Sequence, residues 1–376
     1  MLSPMQRDFW IPSLDGFRAV AILLVFLSHA GLGYIVPGGL GVTVFFFLSG
    51  YLITTLLRRE FARSHDIDLK AFYLRRVARI WPAFYVVLIV GNAATLLGLL
   101  PGELHTSPLA SQYLHFSNYW AILFGPSGQT AGTGVFWSLA VEEHFYLAFP
   151  ALFLLLLRTG WSGRRQALFI LGLCALVLVW RVVLVQFGAS TDRTYYASDT
   201  RIDSLLFGCS LAIFGNPVVD GAPRYGRILK HGFVPLGVAL LVASLVFRSA
   251  GFRETFRYTL QGIALLPVFM AAVAFPNWSA FRVLNLKWVR GMGAISFSFY
   301  LVHFTMIEAV NAHAGGLSIL VRGGLAFALS VSAAYVLHRL VEGPAGKAIR
   351  GLRGVHVSAS LVSTSLPAEV FEATSP

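Results

Sequence analysis

The sequence predicts an all-α, polytopic membrane bundle of about ten spans. Of its 376 residues, 56% are hydrophobic and only 12% are charged, whereas an ordinary soluble domain carries about 25% charge. Mean hydropathy is +0.71. Apolar runs near the length that crosses a bilayer, about 20 residues, recur at 15–34, 39–57, 80–100, 137–157, 166–187, 201–215, 232–248, 258–275, 293–312 and 318–340. A weaker segment, 111–124, reads either as a re-entrant element or as an eleventh span.

Loop charge orients these spans. The 58–79 connector carries Arg58, Arg59, Arg63, Lys70, Arg75, Arg76 and Arg79, which marks it as cytoplasmic. The 101–136 connector contains no Lys or Arg and falls outside. If 111–124 does not cross, the basic loops 158–165, 216–231 and 276–292 all lie inside with both termini, and every Lys is then cytoplasmic. Residues 1–350 form one membrane domain in this scheme. The Ser/Thr/Ala-rich 351–376 segment is expected to be a disordered cytoplasmic tail.

The net charge of +12 does not make this a nucleic-acid binder, because the basic residues sit between apolar spans and no soluble segment could build a reading surface. Cys174 and Cys209 lie inside apolar runs without metal-ligand spacing, so they are expected to be packing residues and no metal is expected. Ser28-His29-Ala30 has a small-x-small pattern resembling a signal cleavage site. A cleaved signal delivers a soluble domain, and none follows, so the first span is read as retained.

Polar residues within the spans carry the chemistry. Arg18 and His29 are eleven steps apart on the first helix; at about 100° per step they share one face, roughly 16 Å apart along the axis. Buried ions in membranes need a partner or a use. Asp15 lies three residues before Arg18 and can pair with it. In the fourth span Ser138, Glu142 and Tyr146 recur every four residues on one stripe, and Glu142 lies about 8 Å below the outer surface, at the depth of His29. That places a carboxylate level with an imidazole, a base and its orienter in outline. Arg76 and Arg79 share a helical face at the inner mouth of the third span, where they serve either as topology markers or as a guanidinium fork for phosphates. Arg181, Asp199, Arg201 and Asp203 suggest Arg–Asp pairing between neighbouring helices. Ser296, Tyr300 and His303 fall on one face of the ninth span and either line a substrate path or bond to neighbouring helices. Gly41, Gly50, Gly208, Gly291 and Gly293 are expected to permit close helix approach.

Seven segments in order resemble the membrane-bound acyltransferase-3 family, over roughly residues 12–345. They are LDGFRAVAILLVFLSH with its Arg-x10-His, GGLGVTVFFFLSGYLI, FYLRRVARIWP with its RxxR, WSLAVEEHFY with its Ser-x3-Glu-x3-Tyr, TRIDSLLFG, SFSFYLVH and HRLVEGP. Two positions depart from the family pattern: Thr43 replaces an Asp that usually follows Gly-Val in the second helix, and His144 stands where Gln is common. The additional extracytoplasmic hydrolase-like domain of some members has no counterpart here, which implies a stand-alone enzyme or one with separate partners.

The resemblance implies a bacterial inner-membrane O-acyltransferase with no bound cofactor. Acyl-CoA, most simply acetyl-CoA, is the expected cytoplasmic co-substrate, and the acceptor is a sugar hydroxyl of an envelope glycan or glycosylated metabolite. His29 and Glu142 are the expected catalytic pair. Arg18, Arg76, Arg79, Ser138, Tyr146, Asp203 and His303 are the expected substrate contacts. The rival reading is a multi-span transporter of sugar-linked or anionic solutes, which also needs intramembrane ions. The absence of recognisable repeated halves speaks against it.

Overall fold

The computed structural model describes residues 11–125 and 127–346, within which all regular structure is helical. The tail at 351–376 and Arg7 lie outside the described residues. Ten long helices form the framework: α1 Pro12–Leu27, α2 Gly38–Ser64, α3 Leu69–Leu96, α4 Trp137–Arg158, α5 Gly163–Gln186, α6 Ser198–Ile213, α7 Val234–Val246, α8 Phe256–Ala274, α9 Ser296–His313 and α10 Ile319–Leu337. Local chemistry sets several boundaries. Pro12 opens α1, where a missing N–H is harmless. Asp68 caps α3 by accepting from the Ala71 amide at 2.9 Å. α2 stops at His65, which turns left-handed at φ 56°.

Eight helical segments of the described chain are long and apolar enough to cross a membrane, and a ninth counts if Lys287–Ala294 and Ser296–His313, bent by 72°, act as one span. The exception among the ten is α6. Its sixteen residues extend only about 24 Å, and almost every one is buried among α2, α5 and α8. The 111–124 segment is no eleventh span. It forms two short helices, Thr106–Tyr113 and Ser117–Phe124, each of eight residues and about 12 Å long.

Close backbone approach holds α6 against α2. A Cβ on Gly50 would overlap the Leu205 carbonyl, and one on Gly208 would overlap the Phe47 carbonyl. Gly41 and Gly293 meet the backbone of α1 in the same way, whereas Gly291 faces open space. Cys174 and Cys209 are free thiols packed in this core. The closing HRLVEGP motif also has a packing role. A π-helical turn at His338–Glu342 brings Glu342 to accept from Ser298 of α9, while its other oxygen lies 2.9 Å from His338 Nδ1.

Two arginines are fully enclosed. Arg181 of α5 makes a two-pronged ion pair with Asp203 of α6, at 3.0 and 2.7 Å, and donates to the Thr200 carbonyl at 2.6 Å. Thr259 of α8 donates to the same carboxylate at 2.9 Å. Both partners have 0% side-chain exposure. The substrate contact expected at Asp203 therefore meets a carboxylate with both oxygens taken and no surface to offer; it fastens three helices together. Arg201 has no carboxylate within ion-pair distance among the described residues. Its guanidinium lies 3.9 Å from the Tyr258 ring centroid, with Tyr195, Trp137 and Phe46 at 5.1–5.6 Å, so ring faces supply the negative potential. Thr43, at the position where the family usually has Asp, accepts from Arg201 at 3.4 Å.

Breaking a buried pair strands the surviving charge, while replacing both partners with apolar groups removes two desolvation penalties. Arg181→Leu should therefore destabilise the detergent-solubilised protein by about 3–5 kcal/mol, and Arg181→Leu with Asp203→Leu should be distinctly more stable than that single variant. Thermal melts of the two variants check this; a double variant no better than the single would show that the pair is not the fastening.

Candidate active site

At the end of α1 away from Arg18 the helix loosens into a π-helical turn, Ser28–Leu32, in which Gly31 takes φ 102°. Only glycine adopts that conformation without strain. The turn carries His29 against α9. The His29 ring stacks on Phe304, centroids 4.5 Å apart, and on His303 at 5.2 Å. Its Nδ1 lies 2.9 Å from His303 Nε2, a contact between residues 274 positions apart in the chain.

The protons along this chain follow from what a carbonyl can do. His303 Nδ1 lies 2.7 Å from the Tyr300 carbonyl oxygen, which only accepts, so Nδ1 carries the proton. A neutral His303 then has a lone pair on Nε2 and accepts from His29 Nδ1–H. The remaining nitrogen of His29, Nε2, is left with a free lone pair. Tyr300 is itself fixed. Its hydroxyl donates to the Val135 carbonyl at 2.8 Å, and Ser138 Oγ, 2.7 Å away, donates to it in turn. Ser138 thus acts on this end of the site through Tyr300.

His29 also lines a cavity of about 120 Å³, together with Asn311 of α9 and Arg322 of α10. Gly31 keeps this space open, since a Cβ there would come within 2.6 Å of Ile319 Cδ1.

A second polar cluster forms toward the Arg18 end of α1. Glu142 of α4 accepts from Ser49 of α2 at 3.0 Å and from the Tyr146 hydroxyl at 2.6 Å. Arg76 of α3 lies over the Tyr146 ring, 5.6 Å from its centroid, and over Phe72 at 5.5 Å. Arg18 pairs with Asp15 at 2.6 Å. Arg79 is within electrostatic range of both Arg18 and Arg76. Three guanidinium groups thus converge on two carboxylates. Neither Arg76 nor Arg79 forms a salt bridge among the described residues, while the adjacent Arg75 is held by Glu60 at 3.0 Å. The arrangement favours a polyanion.

The residues expected from the sequence therefore separate into two ends and a fastening. His29, His303 and Ser138 gather at one end of α1; Arg18, Arg76, Arg79, Glu142 and Tyr146 gather at the other; Asp203 belongs to neither. The expected His29–Glu142 pairing is corrected: His303 holds the His29 ring, and both Glu142 oxygens are engaged by Ser49 and Tyr146. Three contributors escaped the sequence reading. Ser49 looks like any packing serine in an aromatic run, and Asn311 lies at a helix end. Arg322 did carry a signal, because the topology expected from loop charge puts it at the outer start of a span, against the positive-inside pattern. His144, the other departure from the family pattern, lies 2.7 Å from Ser198 Oγ through its Nδ1 and takes part in neither cluster.

Residues 11–339 match the family model described as an acyltransferase domain. Among curated proteins, the chain is 31% identical over 308 residues to the peptidoglycan O-acetyltransferase OatA of Listeria monocytogenes, a match covering 79% of this chain and 49% of the relative. It is 32% identical over 324 residues to the Bacillus subtilis protein named "Putative peptidoglycan O-acetyltransferase YrhL", covering 82% of this chain and 50% of the relative. The chain thus spans about half the length of these relatives. No solved structure matches it.

Proposed function

The chain belongs to the membrane-bound acyltransferase-3 family, and from that premise we propose that it transfers an acetyl group from cytoplasmic acetyl-CoA to a hydroxyl of an envelope glycan. His29 serves as the base in this reading, and peptidoglycan is the first acceptor to test, given the relatives' names. The observation that carries the reading is the proton chain from Tyr300 through His303, which leaves His29 Nε2 unprotonated beside a cavity.

The chemistry is direct. The acceptor hydroxyl gives its proton to His29 Nε2 as its oxygen attacks the thioester carbonyl. The tetrahedral intermediate collapses, expelling the CoA thiolate, which recovers the proton from the imidazolium. His303 holds the ring and accepts from Nδ1–H throughout, the part an orienting carboxylate plays in hydrolytic triads. Glu142, with Tyr146 and Ser49, steadies the arginine cluster instead. Arg76 and Arg79 take CoA phosphates, and Arg18, held by Asp15, takes a further donor oxygen. The roughly 16 Å between Arg18 and His29 is bridged by the pantetheine arm. With the basic 58–79 connector on the cytoplasmic side, the donor enters from the cytoplasm and the acceptor from outside.

Three measurements test this. Mass spectrometry of glycans from cells expressing the wild type should find ester-linked acetyl groups, and His29→Ala should lower them at least about 100-fold, the usual contribution of a general base. A wild type that adds no ester but moves a solute would restore the transporter reading. His303→Leu should cut the rate about 10- to 100-fold, as loss of an imidazole's orienting partner does elsewhere, and His303→Gln, whose amide oxygen can still accept from Nδ1–H, should recover part of it. Equal loss in both would remove the orienting role. Arg76→Ala and Arg79→Ala should each weaken acetyl-CoA binding about tenfold or more, and Lys70→Ala hardly at all; comparable losses would return the two arginines to topology markers.

A further inference from the structure

The cavity beside His29 has a definite polarity. Arg322 Nη1 donates to Asn311 Oδ1 at 3.0 Å. That bond fixes the Asn311 amide, turning its oxygen to the arginine and leaving its NH2 group as a donor without a partner among the described residues. Arg322 Nε is buried and makes no hydrogen bond. Among the described residues no acidic side chain lines the cavity, and the remaining walls are small or apolar, among them Gly31, Ile307 and Ile319. His303, Ile307 and Asn311 rise along one face of α9 at steps of four, so the amide stands two turns beyond the histidine that holds His29.

Side-chain donors therefore stand at one part of this wall and a single acceptor at another. A guanidinium and an amide NH2 suit a group that only accepts, and the forked geometry of arginine suits a planar carboxylate. The lone pair of His29 Nε2 suits a hydroxyl. The volume, about 120 Å³, is several times the roughly 10–15 Å³ that one water needs on the same measure, so the cavity has room for part of a sugar. Positive-inside placement gives no reason for an arginine here, since Arg322 shares the cavity with His29 at the end of α1 away from the arginine cluster.

Building on the acyltransferase reading, we propose that this cavity is the acceptor subsite and that it selects a sugar bearing a carboxylate near its reactive hydroxyl, with Arg322 and Asn311 holding the carboxylate while the hydroxyl meets His29. Charge and hydroxyl are then read together, and neutral sugars bind at the hydroxyl alone.

Binding decides this without turnover. The full chain in nanodiscs is titrated with methyl glucuronide and with methyl glucoside, followed by saturation-transfer NMR. The wild type should bind the glucuronide about tenfold more tightly, the worth of one charge-assisted contact. Arg322→Gln should erase that difference by weakening the glucuronide alone, and Arg322→Lys should retain part of it. His29→Ala should keep the preference while losing acetyl transfer. Equal affinity of the two glycosides for the wild type overturns the proposal without recourse to any variant. Arg322→Gln weakening both glycosides alike, in protein whose melting temperature matches the wild type, overturns it too. The two readings fail separately: glucuronide preference without acetyl transfer sinks the enzyme and keeps the anion subsite, whereas acetyl transfer without preference sinks only the subsite.

Discussion

The Tyr300 carbonyl accepts a hydrogen bond from His303 Nδ1 at 2.7 Å, and the protonation of the whole site depends on that contact. A carbonyl has no proton to give, so the acceptor nitrogen of His303 must face His29, and the free lone pair must appear on His29 Nε2. Were the Tyr300 carbonyl replaced by a donor, the same two rings at the same distance would leave His29 Nε2 protonated and useless as a base. On the proposed reading the backbone of α9 is therefore part of the active site, and what holds it matters. The Tyr300 hydroxyl is tied to the Val135 carbonyl and to Ser138, which makes the start of α4 a brace for chemistry on α1.

Helix α1 joins two environments of different polarity. Around Arg18 the surroundings are rich in cations, and around His29 they are neutral rings and a cavity into which Arg322 brings a single guanidinium. Each suits its half of an acyl transfer. A polyanionic donor is retained by multiple guanidinium groups, and a base must stay uncharged until a hydroxyl arrives. A carboxylate beside His29, as expected from the depth of Glu142, would have favoured the imidazolium before any substrate was bound. A second neutral imidazole orients the ring without that bias. Glu142 is better placed among the arginines, where its charge offsets their mutual repulsion.

Much of the bundle was legible in the sequence, because about twenty apolar residues in a row have few structural outcomes. The Asp15–Arg18, Arg76–Arg79 and Glu142–Tyr146 pairs were legible for the same reason: residues within one helix have their relative positions fixed by its 100° step. Contacts between helices were not. Depth along the membrane normal placed Glu142 level with His29, but depth says nothing about rotation around a helix axis or about which helices are neighbours. The His29–His303 and Ser49–Glu142 contacts join residues 274 and 93 positions apart. The periodicity that put Tyr300 and His303 on one face carried no indication that this face meets α1. Asp203 misled for a related reason, since a carboxylate in an apolar run looks alike whether it waits for a ligand or already holds Arg181. Helix α6 shows the limit of hydropathy itself, because apolar residues enclosed by protein need not be long enough to meet water at both ends.

The arginines of the described chain sort by how their charge is met, and the sorting carries the functional argument further than any single contact. Arg181 is met by a carboxylate, Arg201 by a cage of aromatic rings, and Arg58 and Arg75 by Asp220 and Glu60. In each case the protein itself supplies a carboxylate or ring faces to offset the charge, and such residues serve the fold. Arg76 lies over ring faces, and Arg79 and Arg322 form no ion pair among the described residues, yet all three stand where polar side chains from several helices gather. A membrane protein bears a high desolvation penalty for any cation it leaves without a counter-charge. That penalty falls when an anionic ligand supplies the missing charge, so the arginines not fully met by the fold mark where ligands complete it. Two lie in the cluster near Arg18 and one beside His29, which is the distribution that the proposed transfer from a phosphorylated donor to an acidic sugar calls for.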